Sequence, residues 1–439
     1  MFKKLLGLSL VVLFGFTAGI CLAKYSGGDG TSATPYRISN ANDMNEIGAH
    51  PNDWNDCFLL TSDVNMVGYT YTTALIAPDT NSNNFFQGTA FSGVFDGGGY
   101  TITGLRIDDG GTGNWYLGLF GQIDGGEVRN AHLVDVNLCG LYKVGGLVGK
   151  NRGKVTQCSV TGVISGKEDV GGLIGENRDP GCIEKCRADV KIQHYGILGV
   201  QSYVGGLVGW NNEADIIDCS SSGNLDGNNN TDSVGGLVGA NYGRIERCYS
   251  TADVKGSWCI GGLVGVHNRN DLQSCYATGN VLAEVRGGGL VGFSTNPVVN
   301  CYATGDVNCT SDAGGLIGEE GYGGAINCYS TGYVTGNQDV GGLVGVKYST
   351  DGFIGCFWDV NTSGQTTSAG GIGKSTLEMQ TEATFTDAGW DFIEIWNIGE
   401  NQTYPYLRVY PAGDLNHDGR VDGRDLAIIA TRWLDGIQI

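Results

Sequence analysis

The chain has 439 residues, 76 of them Gly and only 7 Pro, with a formal charge of −20 at pH 7. Gly at more than twice its usual share of about 7 %, without abundant Pro, excludes collagen, and 41 % apolar against 16 % charged residues excludes charge-driven disorder. So acidic a chain repels nucleic-acid phosphate and anionic lipid, and suits divalent cations, basic partners or neutral glycans.

Residues 1–23 read as a secretory signal peptide. Lys3 and Lys4 form the basic region, Leu5 to Ile20 is apolar, and Cys21-Leu22-Ala23 precedes Lys24 as a small-residue cleavage site. A single N-terminal anchor is the alternative, although the apolar run is short for a span. Export follows, with a secreted, extracellular or cell-surface location expected.

Residues 24–140 read as lead-in coils and an N-terminal cap. A repeat then occupies 141–360. The phrase Val144-Gly-Gly-Leu-Val-Gly149 recurs at Val170, Val204, Val234, Ile260, Gly287, Ala313 and Val340, with its Leu at 147, 173, 207, 237, 263, 290, 316 and 343. Spacings of 26 to 34 residues mark a solenoid, in which each unit buries its apolar face only against its neighbours. Short alternating runs such as Arg244-Ile-Glu-Arg-Cys-Tyr-Ser-Thr251 give each unit two or three strands. The expected fold is all-β: a parallel β-solenoid of about eight to ten coils. Gly is expected to supply positive φ at the corners, and eight coils stacked at ~4.8 Å would span roughly 38 Å.

Eight cysteines share one repeat position: Cys158, Cys186, Cys219, Cys248, Cys275, Cys301, Cys328 and Cys356. Alternation places Cys on the inner face and the following Tyr249, Tyr276, Tyr302 and Tyr329 on the outer face. Stacked side chains on parallel strands point the same way, which is poor disulfide geometry, so a ladder of small buried apolar groups is expected. Asn151, Asn177, Asn211 and Asn241, each two residues past the phrase, read as an amide ladder serving backbone groups, with ligand binding as the alternative.

The Val-Gly-Gly-Leu-Val-Gly phrase, followed by Asn-x-Gly, Ile and Cys-Tyr-Ser-Thr, resembles the GLUG repeat of bacterial exported and surface proteins over about Val144 to Asp359. Gly243, Ile245 and Cys248 to Thr251 show it best. The resemblance implies a β-solenoid stalk or adhesion surface.

Residues 361–410, with an aromatic patch from Trp390 to Trp396, read as a C-terminal cap. Within them Ser368-Ala-Gly-Gly-Ile-Gly-Lys-Ser375 falls one Gly short of a P-loop and lacks a strand–helix context, so no nucleotide is expected. Residues 411–439 carry the sharpest local chemistry. Asp414, Asn416, Asp418, the carbonyl of Arg420, Asp422 and Asp425 stand at positions 1, 3, 5, 7, 9 and 12 of a 12-residue loop, with Gly419 at position 6. Oxygen donors at that spacing suit Ca²⁺, and Leu426 to Leu434 reads as a short helix, completing an EF-hand-like loop-helix. This segment resembles one half of a type I dockerin, which implies Ca²⁺ and a cohesin-like or cell-surface protein partner.

The function expected is a non-catalytic exported solenoid for adhesion or scaffolding, attached through its calcium-binding tail, with a glycan as a further partner and no nucleic acid. A carbohydrate-active β-helix enzyme, a polysaccharide lyase or glycoside hydrolase, is the alternative. Its site would lie in the long units around Arg178 to Ser202 and Asn211 to Ser233, insertions that hold Asp179, Glu184, Lys185, Arg187, Asp189, Lys191 and His194.

Overall fold

The computed structural model describes residues 24–408 apart from 82–84, 112, 197–200, 229–230 and 349–351. The expected signal peptide, and the loop from Asp414 to Asp425 and helix expected after it, lie outside the described residues.

The chain winds into a parallel β-solenoid of about nine turns. Its two walls are sheets of 19 and 24 short strands, paired in parallel within each wall. One coil shows the plan. Tyr203–Gly205 lies in the second sheet, the chain crosses at Gly206-Leu207, and Val208–Asn212 and Asp215–Ile217 lie in the first. Cys219 turns it back into Ser220–Asp226 of the second sheet. Register is kept from coil to coil, with Val204 against Val170 and Val234. At the crossing, Leu207 N–H donates to Leu237 O and Leu237 N–H to Leu263 O, at 2.9 and 2.8 Å. The Val, Ile and Leu of these strands face each other between the walls and are fully buried, while alternate side chains such as Arg187 and Lys191 point outward.

The glycines of the repeated phrase play a different part from the one expected. None of them has positive φ; they stand where backbones of neighbouring coils touch. A Cβ added to Gly206 would lie 2.0 Å from the carbonyl oxygen of Gly236, and one on Gly236 would lie 2.0 Å from that of Gly262. The left-handed corners instead carry other residues. Gln157, Lys185, Asp218, Arg247, Ser274, Asn300 and Asn327, each preceding a ladder cysteine, have φ of 51–54°. The corner is tight enough to hold them there because the following Cys anchors it, as described below.

At the N-terminal end, the helix Ala41–Ala49 is capped by Asn40, whose side chain accepts from the N–H groups of Asn42 and Asp43. Met44 and Ile47 are buried beneath it. At the other end, Ile372–Lys374 adds one more rung beside Phe357–Asp359. Residues 375–408 then pack on the outer face of the second sheet. Met379, Phe385, Trp390 and Trp396 form a separate apolar cluster there with Tyr329 and Phe357.

Candidate functional site

Three columns run through the solenoid. The cysteine column is interior, as alternation requires, each thiol 0–2 % exposed, and none of the thirteen described cysteines is in a disulfide. The column also does more than fill space. The N–H of Cys219 donates to Sγ of Cys248 and that of Cys248 to Sγ of Cys275, both at 3.3 Å. Each thiol in turn donates to the carbonyl two residues back, for example Cys219 to Ile217 at 3.1 Å. A corner N–H without a strand partner is thereby satisfied inside an apolar core. Burial pushes the thiols of Cys158, Cys219, Cys275, Cys301 and Cys356 well above the ordinary range, so they stay protonated.

The asparagine column is an amide ladder. Asn151 Nδ2 donates to Asn177 Oδ1, Asn177 to Asn211 and Asn211 to Asn241, at 2.8, 2.9 and 2.7 Å, and all four side chains are fully buried. Asn241 makes four bonds: it accepts from Asn211 and from Gly243 N–H, and donates to Gly243 O and to His267. In register the column continues as His267, Ser294, Glu320 and Lys347. Such saturated amides leave no valence for a ligand, which supports the backbone role.

The tyrosine column is external. Tyr249, Tyr276, Tyr302 and Tyr329 stack with ring centroids 4.9, 4.9 and 5.1 Å apart and planes within 6° of parallel. Only its first half is open. Trp396 leans on Tyr302 and Tyr329 at 6.1 and 6.2 Å. The Tyr329 hydroxyl donates to Pro405 O at 2.6 Å, and Tyr329 is 1 % exposed.

The charged residues of the long unit do not converge. Arg187, Asp189 and Lys191 alternate outward along the regular strand Arg187–His194. Lys185 pairs with its neighbour Glu184 at 3.0 Å. His194 is buried at the strand end, its ring nitrogens against the carbonyls of Gly227 and Lys167. The densest buried charge lies elsewhere. Lys143 Nζ reaches Asp169 at 2.7 Å and Glu176 at 3.1 Å across adjacent coils, and sits 5.2 Å from the Trp210 ring. Burial opposes its charge, yet the two carboxylates outweigh burial and raise its pKa. The sequence pattern does not reveal this cluster, because Lys143 stands 26 and 33 residues from its two carboxylates and meets them only through coil stacking. Among the described residues no group of three or more His, Cys, Asp or Glu is arranged to hold a metal. The predicted set Asp414, Asn416, Asp418, Arg420, Asp422 and Asp425 lies outside the described residues.

Residues 201–226 and 230–255 match the GLUG motif. Two of the repeats are GLUG motifs. Both fall on consecutive coils that contain the Asn211–Asn241 and Cys219–Cys248 contacts. The chain is 27 % identical over 412 residues to halomucin of Haloquadratum walsbyi, a match covering 91 % of this chain and 4 % of that protein. It is 42 % identical over 66 residues to a protein of Evansella cellulosilytica named as a Gly-rich membrane protein, covering 14 % of this chain and 8 % of that one. The chain thus spans less than a tenth of the length of these curated relatives. Among solved structures, a Bacteroides ovatus protein described as an immunoglobulin A1 protease aligns over 88 % of this chain and 95 % of its own, with 18 % identity and a TM-score of 0.32. Among the described residues no helix is long and apolar enough to cross a membrane.

Proposed function

We propose that this is an exported, non-catalytic β-solenoid that works at a cell surface in adhesion or as a scaffold. The observation that supports this most is the regularity of the coils. In the long unit Arg187, Asp189 and Lys191 are dispersed along one strand rather than gathered over a cleft, whereas hydrolysis of a glycosidic bond needs paired carboxyl groups at a set separation. The GLUG motifs and the likeness to a halomucin and to a Gly-rich membrane protein support a surface location. The tail is assigned Ca²⁺, held by Asp414, Asn416, Asp418, the Arg420 carbonyl, Asp422 and Asp425, and the task of attachment to a cohesin-like or surface partner.

Two measurements test this reading. The full chain, screened on neutral and acidic polysaccharides, is expected to release no product. Cleavage that disappears in Asp179→Ala, Glu184→Ala or Asp189→Ala variants overturns the non-catalytic reading. In calcium titration calorimetry the full chain is expected to bind one tail ion, and an Asp414→Ala/Asp418→Ala variant to lose it. Identical titrations of the two proteins refute the tail assignment.

A further inference from the structure

A trough of about 650 Å³ runs along the outer face of the second sheet, crossing five coils. It lies beside a column of small residues, Gly279, Gly305 and Gly332, where an added Cβ would stand 1.9 Å from a carbonyl oxygen of the preceding coil. Two columns of outward side chains form its floor. One passes through Asp253, Asn280, Asp306 and Tyr333; the other through Lys255, Leu282 and Asn308, held in register by the strands they sit on.

We infer that this trough binds a single strand of neutral, hydroxyl-rich polysaccharide lying parallel to the solenoid axis. The inference names a ligand for the adhesive role proposed above and rests on that reading. Four features carry it. The first is repeat. Polar groups recur once per coil, and the neighbouring tyrosine stack measures that repeat at 4.9–5.1 Å, close to the advance per sugar unit of an extended pyranose chain. A periodic polymer can therefore meet equivalent groups at each step.

The second is preorganisation. Oδ1 of Asp253, Asn280 and Asp306 accepts from the backbone N–H of Asn280, Asp306 and Tyr333 in the next coil, at 2.8, 3.1 and 2.9 Å. One terminal atom of each exposed side chain is thus tied down, which fixes the other and removes much of the ordering cost of binding. Carboxylates and amides held this way suit hydroxyl donors and acceptors.

The third is the apolar surface among those groups. Leu282 is 45 % and Tyr333 53 % exposed, and both line the trough. Sugar rings pair C–H faces with hydroxyl edges, so a floor of amides, carboxylates, one Leu and one Tyr matches both. Tyr333 closes one end, its ring laid against Gly364, where an added Cβ would meet Cε2 at 2.4 Å. The fourth is charge. Asp226, Asp253 and Asp306 line the trough with one cation, Lys255, which pairs with Asp226 at 3.7 Å. The net negative lining, on a chain of charge −20, rejects polyanions and admits neutral chains.

Affinity gel electrophoresis of the full chain tests the site, with hydroxyethylcellulose or mixed-linkage β-glucan in the gel and polygalacturonate as the anionic comparison. Retardation is expected in a neutral glucan and not in polygalacturonate. Tyr333→Ala and Asn308→Ala are expected to weaken it at least tenfold with unchanged melting temperatures, while Tyr322→Ala, outside the trough, keeps it. If the neutral glucans retard the chain and Tyr276→Ala rather than Asn308→Ala abolishes it, the trough assignment falls and the adhesive reading stands. Retardation by polygalacturonate alone, or none in any gel, overturns the inference. In the latter case whole-cell adhesion by the full chain separately decides the adhesive reading.

Discussion

Asn241 donates through Nδ2 to Nδ1 of His267 at 3.1 Å, with both side chains fully buried. His267 thus occupies the fifth rung of an amide ladder as a neutral acceptor, and burial pushes its pKa down from 6.5 to about 4. Between those values the unfolded chain binds the proton and the folded chain does not. The stability it contributes is therefore fully present above about pH 6.5 and is lost as pH falls toward 4, by up to about 3 kcal/mol. His267→Asn continues the ladder without a titrating group. Its melting temperature is expected to fall less than that of the parent between pH 7 and pH 4.5. Burial also lowers the pKa of His194, but that acts equally in both proteins. Parallel pH profiles would refute the assignment.

Thiol accessibility separates the cysteines. Cys57, Cys139 and Cys182 are half-buried, whereas the eight ladder cysteines are closed to solvent. In the native chain iodoacetamide is expected to label the former and to reach the ladder only after unfolding, as read by peptide mass spectrometry. Cys275→Ala leaves the N–H of Cys248 without its acceptor, a loss of about 1–3 kcal/mol. Denaturant midpoints check the magnitude; a neutral effect would reduce the column to space filling.

The ion pair of Lys143 with Asp169 and Glu176 is largely buried. Lys143→Met leaves Asp169 without its cation, while Glu176 keeps Lys150 at 3.8 Å and Arg178 at 3.7 Å, and is expected to cost about 3–5 kcal/mol. Adding Asp169→Leu and Glu176→Gln should recover much of it. Equal stability of the single and triple variants in urea titrations would contradict the coupling.

Trp396 is fully buried against Tyr302, Tyr329 and Trp390. Trp396→Ala is expected to remove about 3–5 kcal/mol from this contact and to free residues 375–408 from the flank. Limited proteolysis should then cut within that segment while the solenoid stays intact. Unchanged cleavage would show that the segment holds by other contacts, such as the Tyr329–Pro405 hydrogen bond.

The coil architecture was legible because the constraint is local and repeated. Each unit must present the same apolar face to the same neighbour, so Leu207, Leu237 and Leu263 recur in step. The inward cysteines and the outward tyrosines followed from alternation, and the amide ladder from its fixed offset past the repeated phrase. The glycine role did not. Sequence identifies a residue without Cβ but not the reason for it, and both a left-handed corner and a close backbone approach ask for one. Stacking decides between them: carbonyls 2.0 Å from a would-be Cβ at Gly206 and Gly236 demand Gly, whereas the corners, stabilised through the cysteine thiols, tolerate Asp218 and Arg247.

The amino-acid sequence by itself determined the period, the inward and outward faces and the acidic character, because these depend on residue type and spacing along one strand. Tertiary structure decided what lies across coils: the Lys143 cluster, the trough from Asn224 to Thr335, and the half-covered tyrosine stack. Those features join residues about one coil or more apart, and only the stacking of parallel strands at a fixed rise sets which side chains meet.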